Sequence, residues 1–225
     1  MALETLLAGQ NLPRLLYGLW LTVYISLLSV VASAVLGTLF GLLMRHRSRW
    51  LRFGCRLYLE TVRTVPILVW LFLLYFGLPT WTGVHIDGFW VCVLVFVVWG
   101  TAEMGDLVRG ALGSVERHQR EAALALGLSR RQVFTAVEAP LAVRRLLPGA
   151  INLFTRMVKT TSLAALIGVM EVIKVGQQII ERAQMIEPKV PTASFWIYGL
   201  IFFLYFAVCY PLSWYAARLE KRWEH

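Results

Sequence analysis

Charged side chains interrupt two apolar stretches of the chain, and they are the groups there that can contact a polar solute. Two sets of three recur at intervals of three residues: Glu103, Asp106 and Arg109, and Arg156, Lys159 and Ser162. That interval keeps side chains on one side of a helix. A charge near the centre of a bilayer costs at least about 2.5 kcal/mol, so charged side chains in a span face the bundle interior or a water-filled cavity.

Two interpretations of these charges remain open. Glu103 and Lys159 form an internal ion pair that holds two helices together, or they line a translocation cavity. Asp106 and Arg109 lie nearer the cytoplasmic surface, and their i,i+3 spacing predicts a structural ion pair.

The composition predicts a protein solvated by lipid. Of the 225 residues 58% are hydrophobic, and the mean hydropathy is +0.65, which exceeds what a soluble domain of this size needs. The net charge of +9 comes from arginines at the ends of apolar stretches, where cytoplasmic flanks place them, so nucleic-acid binding is not expected. The three cysteines and four histidines have no metal-ligand spacing, and the chain has no phosphate-binding P-loop sequence. We therefore expect no metal, no cofactor and no ATPase chemistry in this chain.

Apolar length and loop charge together predict an all-α membrane protein with five transmembrane helices. The spans are expected at about 15–44, 64–86, 89–114, 146–170 and 192–217. Arginines are frequent in residues 45–56 and 115–147, and basic residues are frequent in the tail after residue 217. Residues 80–88, in contrast, contain no lysine or arginine. The positive-inside bias places the N-terminus outside, the C-terminus inside and residues 181–194 in an outer loop. One membrane domain, residues 1–225, is expected.

A basic, polar segment at residues 115–145 carries a helix-stop pattern. Glu121 to Leu126 are good helix formers, and Gly127 can end that helix in a left-handed conformation. Ser129 and Gln132 have the spacing of a capping box that starts the next helix. Pro140 is expected to close that second segment, and Leu147-Pro148-Gly149 to open the fourth span.

This segment resembles the EAA loop of ABC-importer permeases, in which E-A-A is followed after three residues by G and after nine more by I-x-L-P. Glu121-Ala122-Ala123, Gly127 and Pro140 fall at that spacing, with Val137 and Ala139 in place of Ile and Leu. In that family the loop is a short helix that docks on a separate ATPase subunit. The resemblance therefore assigns ATPase coupling to six residues: Glu121, Ala122, Ala123, Gly127, Leu128 and Pro140.

Two further stretches are similar to the polar amino-acid uptake subfamily of these type I importers. Residues 58–79 match its Y-x-E-x-x-R-G-T-P pattern and the Y-F-G-L-P that follows, except that Thr64-Val65 replaces Gly-Thr and Trp70 replaces Gln. The resemblance places a gate region at Arg63, Thr64 and Pro66. Residues 159–169 resemble K-D-T-S-L-x-x-x-I-G-V, with Thr160 where Asp is usual. The candidate substrate pathway comprises Glu103, Arg156, Lys159, Thr160, Thr161 and Ser162.

The resemblance implies a multi-pass permease subunit of the bacterial inner membrane that imports a polar amino acid. Its implied partners are a homodimeric ATP-binding subunit that holds ATP and Mg, a second permease chain, identical or paralogous, and an extracytoplasmic solute-binding protein. Two alternatives stay open from the residues alone: an ion-coupled secondary transporter, which would have repeated halves with broken helices, and a non-transporting membrane scaffold.

Overall fold

Helices make up the regular structure of the chain, which a computed structural model describes over residues 9–186 and 193–223. Within those ranges no strand occurs. The helices are α1 (Asn11–Leu43), α2 (Arg49–Thr64), α3 (Ile67–Thr82), α4 (Gly88–Gly113), α5 (Arg117–Ala125), α6 (130–160), α7 (Val172–Ile186) and α8 (Ala193–Trp223). A 3₁₀ segment, Thr161–Ile167, continues α6.

Three helices are each long and apolar enough to cross a bilayer: α1, α4 and α8. They coincide with the predicted spans at 15–44, 89–114 and 192–217, of which residue 192 lies outside the described ranges. Two more crossings arise only if bent pairs count as one span, with bends of 95° between α2 and α3 and 48° between Arg130–Ile167 and Val172–Met185. The described residues therefore hold between three and five spans.

The predicted span at 64–86 is not one helix. α2 ends at Thr64, and Val65 is extended with ψ 125° because the residue before a proline is driven out of the helical region by the Pro66 ring. α3 then runs from Ile67 to Thr82, where Gly83 ends it at φ 71°. The arginine-rich residues before the span, expected as a loop, include the 16-residue helix α2.

The predicted span at 146–170 also differs. Its α-helix begins far earlier and ends at Thr160, and the 3₁₀ segment follows. Pro140 does not close a segment and Pro148 does not open one, since both lie inside α6. The expected outer loop at 181–194 is shorter, because α7 extends through Ile186 and α8 begins at Ala193; residues 187–192 lie outside the described ranges.

Two prolines are accommodated by π-helical turns. Leu73–Gly77 precedes Pro79, and Phe134–Glu138 precedes Pro140. In each case the residue before the proline donates its N–H five residues back, Leu78 to Leu73 and Ala139 to Phe134. A proline ring clashes with the carbonyl four residues before it in a regular helix. The wider π-turn moves that carbonyl aside, so the helix passes through the proline.

The described residues form two compact units. One unit takes residues from 9–29, 67–96 and 155–211, and its core is built from α1, α7 and α8 around Leu15, Val172, Ile197 and Ile201. The other takes residues from 30–66, 97–154 and 212–223.

In the second unit α1 and α4 approach closely through glycines. A Cβ on Gly41 would lie 2.6 Å from the Gly105 carbonyl oxygen, and one on Gly105 would lie 2.4 Å from Phe40. Small residues allow such backbone contact between membrane helices.

Candidate functional site

The proposed coupling helix, α5, ends in a complete Schellman motif. Gly127 has φ 85°, the left-handed conformation that its position predicts. Its N–H bonds the Leu124 carbonyl at 3.0 Å, and the N–H of Leu128 bonds the Ala123 carbonyl at 3.2 Å. These two bonds satisfy carbonyls that the helix end leaves without partners, so the stop is fixed within one residue.

A capping box starts α6 immediately afterwards. The Ser129 hydroxyl accepts the Gln132 N–H at 3.4 Å, and the Gln132 side chain accepts the Ser129 N–H at 2.9 Å. Because the stop of α5 and the start of α6 are both hydrogen-bonded, no unconstrained linker separates the two helices. Helices α5 and α6 are therefore joined by a short, hydrogen-bonded connection.

The three residues of the Glu-Ala-Ala sequence face different environments. Ala123 is buried, whereas Ala122 is exposed and the Glu121 side chain is 58% exposed, with its carboxylate 2.6 Å from Arg117. Leu126 at the tip is 81% exposed.

An ion pair between a partly exposed arginine and a nearly buried glutamate ties α5 to the π-turn of α6. The Arg120 Nε lies 2.5 Å from Oε1 of Glu138, whose side chain is 10% exposed. Further along α6, Arg145 donates to the carbonyl of Ser114 and, at 2.9 Å, to its hydroxyl, just beyond the end of α4. Sequence reasoning assigned no role to these residues, although Glu138 is a lone acid within an apolar run. The contacts give a displacement of α5 a direct path to α6.

Pro140 and Leu128, also assigned to coupling, have different positions. Pro140 is an exposed residue inside α6, two positions beyond the π-turn, and Leu128 is half-buried between the two caps. Pro140 therefore shapes the helix rather than ending it.

Four charged side chains form an ionic cluster at the end of α2. Arg63 in the last turn of α2 contacts Glu103 at 2.7 Å and Asp106 at 2.9 Å, and Arg109 contacts Asp106 at 2.5 Å. The two carboxylates are 12% and 22% exposed. Two cations and two anions neutralise one another here, and charge-assisted hydrogen bonds fix the geometry.

The cluster joins residues that the sequence assigned to three different roles. Arg63 was placed in the gate region, Glu103 in the pathway, and Asp106 with Arg109 in an ion pair. Glu103 is paired with Arg63, 40 residues away, an ion pair that the sequence did not suggest. Thr64 and Pro66, the other gate candidates, are exposed at the break between α2 and α3.

The remaining pathway candidates divide into exposed and buried side chains. Arg156 and Lys159 are exposed on the last turns of α6. Thr160 and Ser162 donate their hydroxyls to the carbonyls of residues 156 and 159, at 2.8 Å each.

Thr161, in contrast, is fully buried. Its hydroxyl lies 2.8 Å from the Ser26 hydroxyl of α1 and donates to the Met157 carbonyl at 2.9 Å. It joins the 3₁₀ segment to α1, and its assignment to the pathway stays a prediction.

Glu171 is a buried carboxylate that sequence reasoning missed. It is 0% exposed and precedes α7, where its Oε1 accepts the Lys174 N–H at 2.8 Å. The Tyr205 hydroxyl lies 3.5 Å from Oε2, and the Thr22 hydroxyl lies 3.5 Å from the Val172 nitrogen. Glu171 stands one residue after the predicted span at 146–170, so its charge was not counted as intramembrane. An acid directly before a helix is favoured by the positive end of the helix dipole, which is the signal that could have pointed to it.

Apolar helices long enough to span a membrane, broken spans, an ionic cluster and a capped polar helix are features expected of a membrane transport subunit. Comparison with known proteins identifies its kind: the family model for the inner membrane component of binding-protein-dependent transport systems matches residues 33–225. The chain belongs to this family.

Relatives and solved structures agree with this assignment. The chain is 32% identical over 222 residues to the probable amino-acid ABC transporter permease protein YckA of Bacillus subtilis, covering 99% of this chain and 94% of YckA. It is 34% identical over 213 residues to the glutamine transport system permease protein GlnP of Escherichia coli K12, covering 94% and 93%. The crystal structure of an amino acid ABC transporter with histidines matches with a TM-score of 0.84 and 25% identity, covering 95% of each chain. An inward-facing MetNI methionine ABC transporter shares the fold, with a TM-score of 0.70 at 15% identity, covering 96% of this chain and 99% of that one.

The resemblance drawn from the EAA spacing is thus confirmed. The chain is a multi-pass inner membrane protein with the fold of type I ABC-importer permeases, and its family is one of transporter subunits rather than enzymes.

Proposed function

We propose that this permease imports a polar amino acid, driven by a separate ATP-binding subunit that engages α5. The observation that carries the proposal is the stiff α5–α6 junction: a helix stopped by Gly127, capped onward by Ser129 and tied to α6 by Arg120 and Glu138. Such a junction suits the transfer of movement from a nucleotide-driven partner to the membrane helices. Exposed Glu121 and Leu126 are the proposed docking contacts.

The substrate class rests on relatives and on charge. The relatives are named for transport of three kinds of substrate: an amino acid for YckA of Bacillus subtilis, glutamine for GlnP of Escherichia coli and L-cystine for TcyL of Bacillus subtilis. An amino acid carries an ammonium and a carboxylate, and this chain offers both an acid, Glu103, and exposed cations, Arg156 and Lys159. These three residues, with Thr160, Thr161 and Ser162, remain the proposed pathway; Arg63, Thr64 and Pro66 remain the proposed gate.

The proposed assembly has two permease chains, a homodimeric ATPase that holds ATP and Mg, and an outer solute-binding protein that delivers the substrate. The N-terminus is placed outside and the C-terminus inside by the arginine bias. ATP closes the ATPase pair, brings the coupling helices together and opens the cavity outward, and hydrolysis reverses the change. Membership of a binding-protein-dependent family supports this reading over an ion-coupled transporter or a scaffold.

Charge reversal at Glu121 tests the proposal. Glu121→Arg places two cations at i,i+4 with Arg117, which costs the helix only about 0.2–0.5 kcal/mol, so the chain remains folded. An unpaired charge in a docking groove costs several kcal/mol, so ATPase co-purification and binding-protein-dependent uptake in vesicles should both fall. Glu220→Arg, an exposed acid near the end of α8, is the matched control. Normal uptake with normal ATPase association in Glu121→Arg would overturn the assignment.

A further inference from the structure

Helix α2 presents three distinct faces along its length. One face is buried: Cys55, Leu59 and Val62. It packs with Ala102, Met44 and Trp99, and the Tyr58 hydroxyl bonds the Val98 carbonyl at 2.6 Å. These contacts fix the rotation of α2 about its axis, so its other two faces cannot turn inward.

The second face is apolar and exposed. Trp50, Phe53 and Leu57 recur at i, i+3 and i+7, and their exposed fractions are 86%, 63% and 58%. Three large side chains on one helical stripe form a contiguous apolar surface, which marks a site of contact with another molecule or with lipid.

The third face is basic. Arg49, Arg52 and Arg56 repeat the same spacing one residue earlier, so they form a stripe directly beside the apolar one. All three are exposed, and no ion pair involving them forms within the described ranges. Arg45 and Arg47 precede them, and residues 41–59 contain no acidic residue. The one acid in α2, Glu60, lies four residues beyond Arg56, so the first two turns suit a partner that carries negative charge next to an apolar layer.

Chain connectivity holds α2 at the membrane surface. α1, long enough to cross a bilayer, ends at Leu43, with Leu39, Leu42 and Leu43 exposed. Five residues separate Leu43 from the start of α2 at Arg49, which allows at most about 20 Å between the two Cα atoms. At its other end α2 meets the apolar α3 after only Val65 and Pro66.

We propose that α2 is an interfacial helix that binds anionic phospholipid, with Trp50, Phe53 and Leu57 among the acyl chains and Arg49, Arg52 and Arg56 on headgroup phosphates. An amphipathic helix with aromatic and aliphatic residues on one side and arginine beside them is suited to the headgroup boundary. The planar guanidinium binds phosphate through paired hydrogen bonds. Since α2 also carries Arg63 of the ionic cluster, lipid bound at its first turns helps to position that cluster. The inference does not depend on the identity of the substrate.

The test uses the assembled transporter with its ATPase, reconstituted in phosphatidylcholine nanodiscs doped with phosphatidylglycerol. Retained lipid is counted by native mass spectrometry for wild type, for Arg52→Gln/Arg56→Gln and for the charge-matched control Lys221→Gln/Arg222→Gln, which alters the last turn of α8. Each arginine near an anionic surface contributes about fivefold in affinity. The α2 variant should therefore lose phosphatidylglycerol at least tenfold, the control should not, and Arg52→Lys/Arg56→Lys should keep most of it.

A second measurement identifies the occupant. A photoreactive phenylalanine analogue at position 53 should form an adduct of phospholipid mass in native membranes. A crosslink to the ATPase, to a second permease or to another protein would overturn the proposal. So would equal loss of phosphatidylglycerol in the α2 and α8 variants, or equal retention of phosphatidylcholine and phosphatidylglycerol by the wild type. Where no crosslink forms, the retention measurement decides.

Discussion

Arg63 is the residue that holds the ionic cluster together, because it contacts both carboxylates while Arg109 contacts one. Arg63→Met removes the cation that contacts Glu103, whose side chain is only 12% exposed. Loss of one partner of a mostly buried pair should cost roughly 1–3 kcal/mol, less than a fully buried pair because Arg63 is partly solvated. Thermal unfolding of the purified transporter and amino-acid uptake should both report the loss.

Arg109→Met is the matched control for that change. Its side chain is 51% exposed, so its removal should cost no more than about 1 kcal/mol. Equal destabilisation by the two substitutions would contradict a central role for Arg63.

The Glu171 side chain is both a helix cap and a buried acid, so a substitution can show which of the two properties the protein requires. Glu171→Gln keeps an oxygen that can accept the Lys174 N–H, whereas Glu171→Ala removes it. If capping dominates, Ala should cost about 1–2 kcal/mol and Gln much less, measured by thermal unfolding in nanodiscs. Gln as damaging as Ala would show that the charge, and not the cap, is required.

At the scale of elements, the junction between α5 and α6 depends on Gly127. Gly127→Val forces a β-branched residue to φ 85°, which costs at least about 1–2 kcal/mol and opens the Schellman bonds. ATPase binding and the ratio of substrate moved to ATP hydrolysed should both fall. Gly199→Val, a glycine in α8 with open space around it and no positive φ, is the control and should keep both values.

The sequence predicted those elements whose signals are local. Gly127 and the Ser129–Gln132 box lie within six residues, so spacing alone determined their geometry. The breaks of the second and fourth spans were not predicted, because hydropathy measures the length of an apolar stretch and carries no information on where its backbone leaves the helical conformation. Pro140 was predicted to end a helix, but a π-turn accommodates its ring inside α6. The spacing of residues in the sequence does not predict such a π-turn.

Contacts between distant segments of the chain could not be predicted from the sequence for another reason. Arg63 and Glu103 are 40 residues apart, and their meeting depends on how α2 packs on α4. The i,i+3 pair of Asp106 and Arg109 needs only one helix. Thr161 entered the candidate pathway through the Lys-Thr-Thr-Ser-Leu resemblance, and that local pattern does not reveal that its buried hydroxyl bonds Ser26 on α1.

For the whole molecule, family and helical class follow from composition, span length and the EAA spacing, and the family comparison confirms them. The direction in which the chain crosses the membrane is a separate prediction that rests on loop charge. Arginines crowd residues 45–56 and 115–147, while residues 80–88 have none. Each arginine left on the outer side would oppose insertion, so the bias is strong.

Cysteine labelling in intact cells tests this orientation, and the structure selects the positions. Trp81 is 94% exposed and Ala125 is exposed at the end of α5. Both avoid Gly83, whose φ of 71° strains a cysteine, and Ser129, whose hydroxyl caps α6. The native cysteines, Cys55, Cys92 and Cys209, are buried and give a low background.

A membrane-impermeant thiol reagent should label Trp81→Cys in intact cells and should label Ala125→Cys only after the cells are opened. The reason is the arginine asymmetry between the two loops, which places α5 in the cytoplasm beside an ATPase and Trp81 outside. Labelling of Ala125→Cys from outside would remove α5 from the reach of any cytoplasmic partner, and the coupling proposal would fail with it. If Trp81→Cys stays unlabelled in intact and in opened cells alike, a partner chain shields it, and Val84→Cys, 55% exposed in the same loop, then reports the outer side.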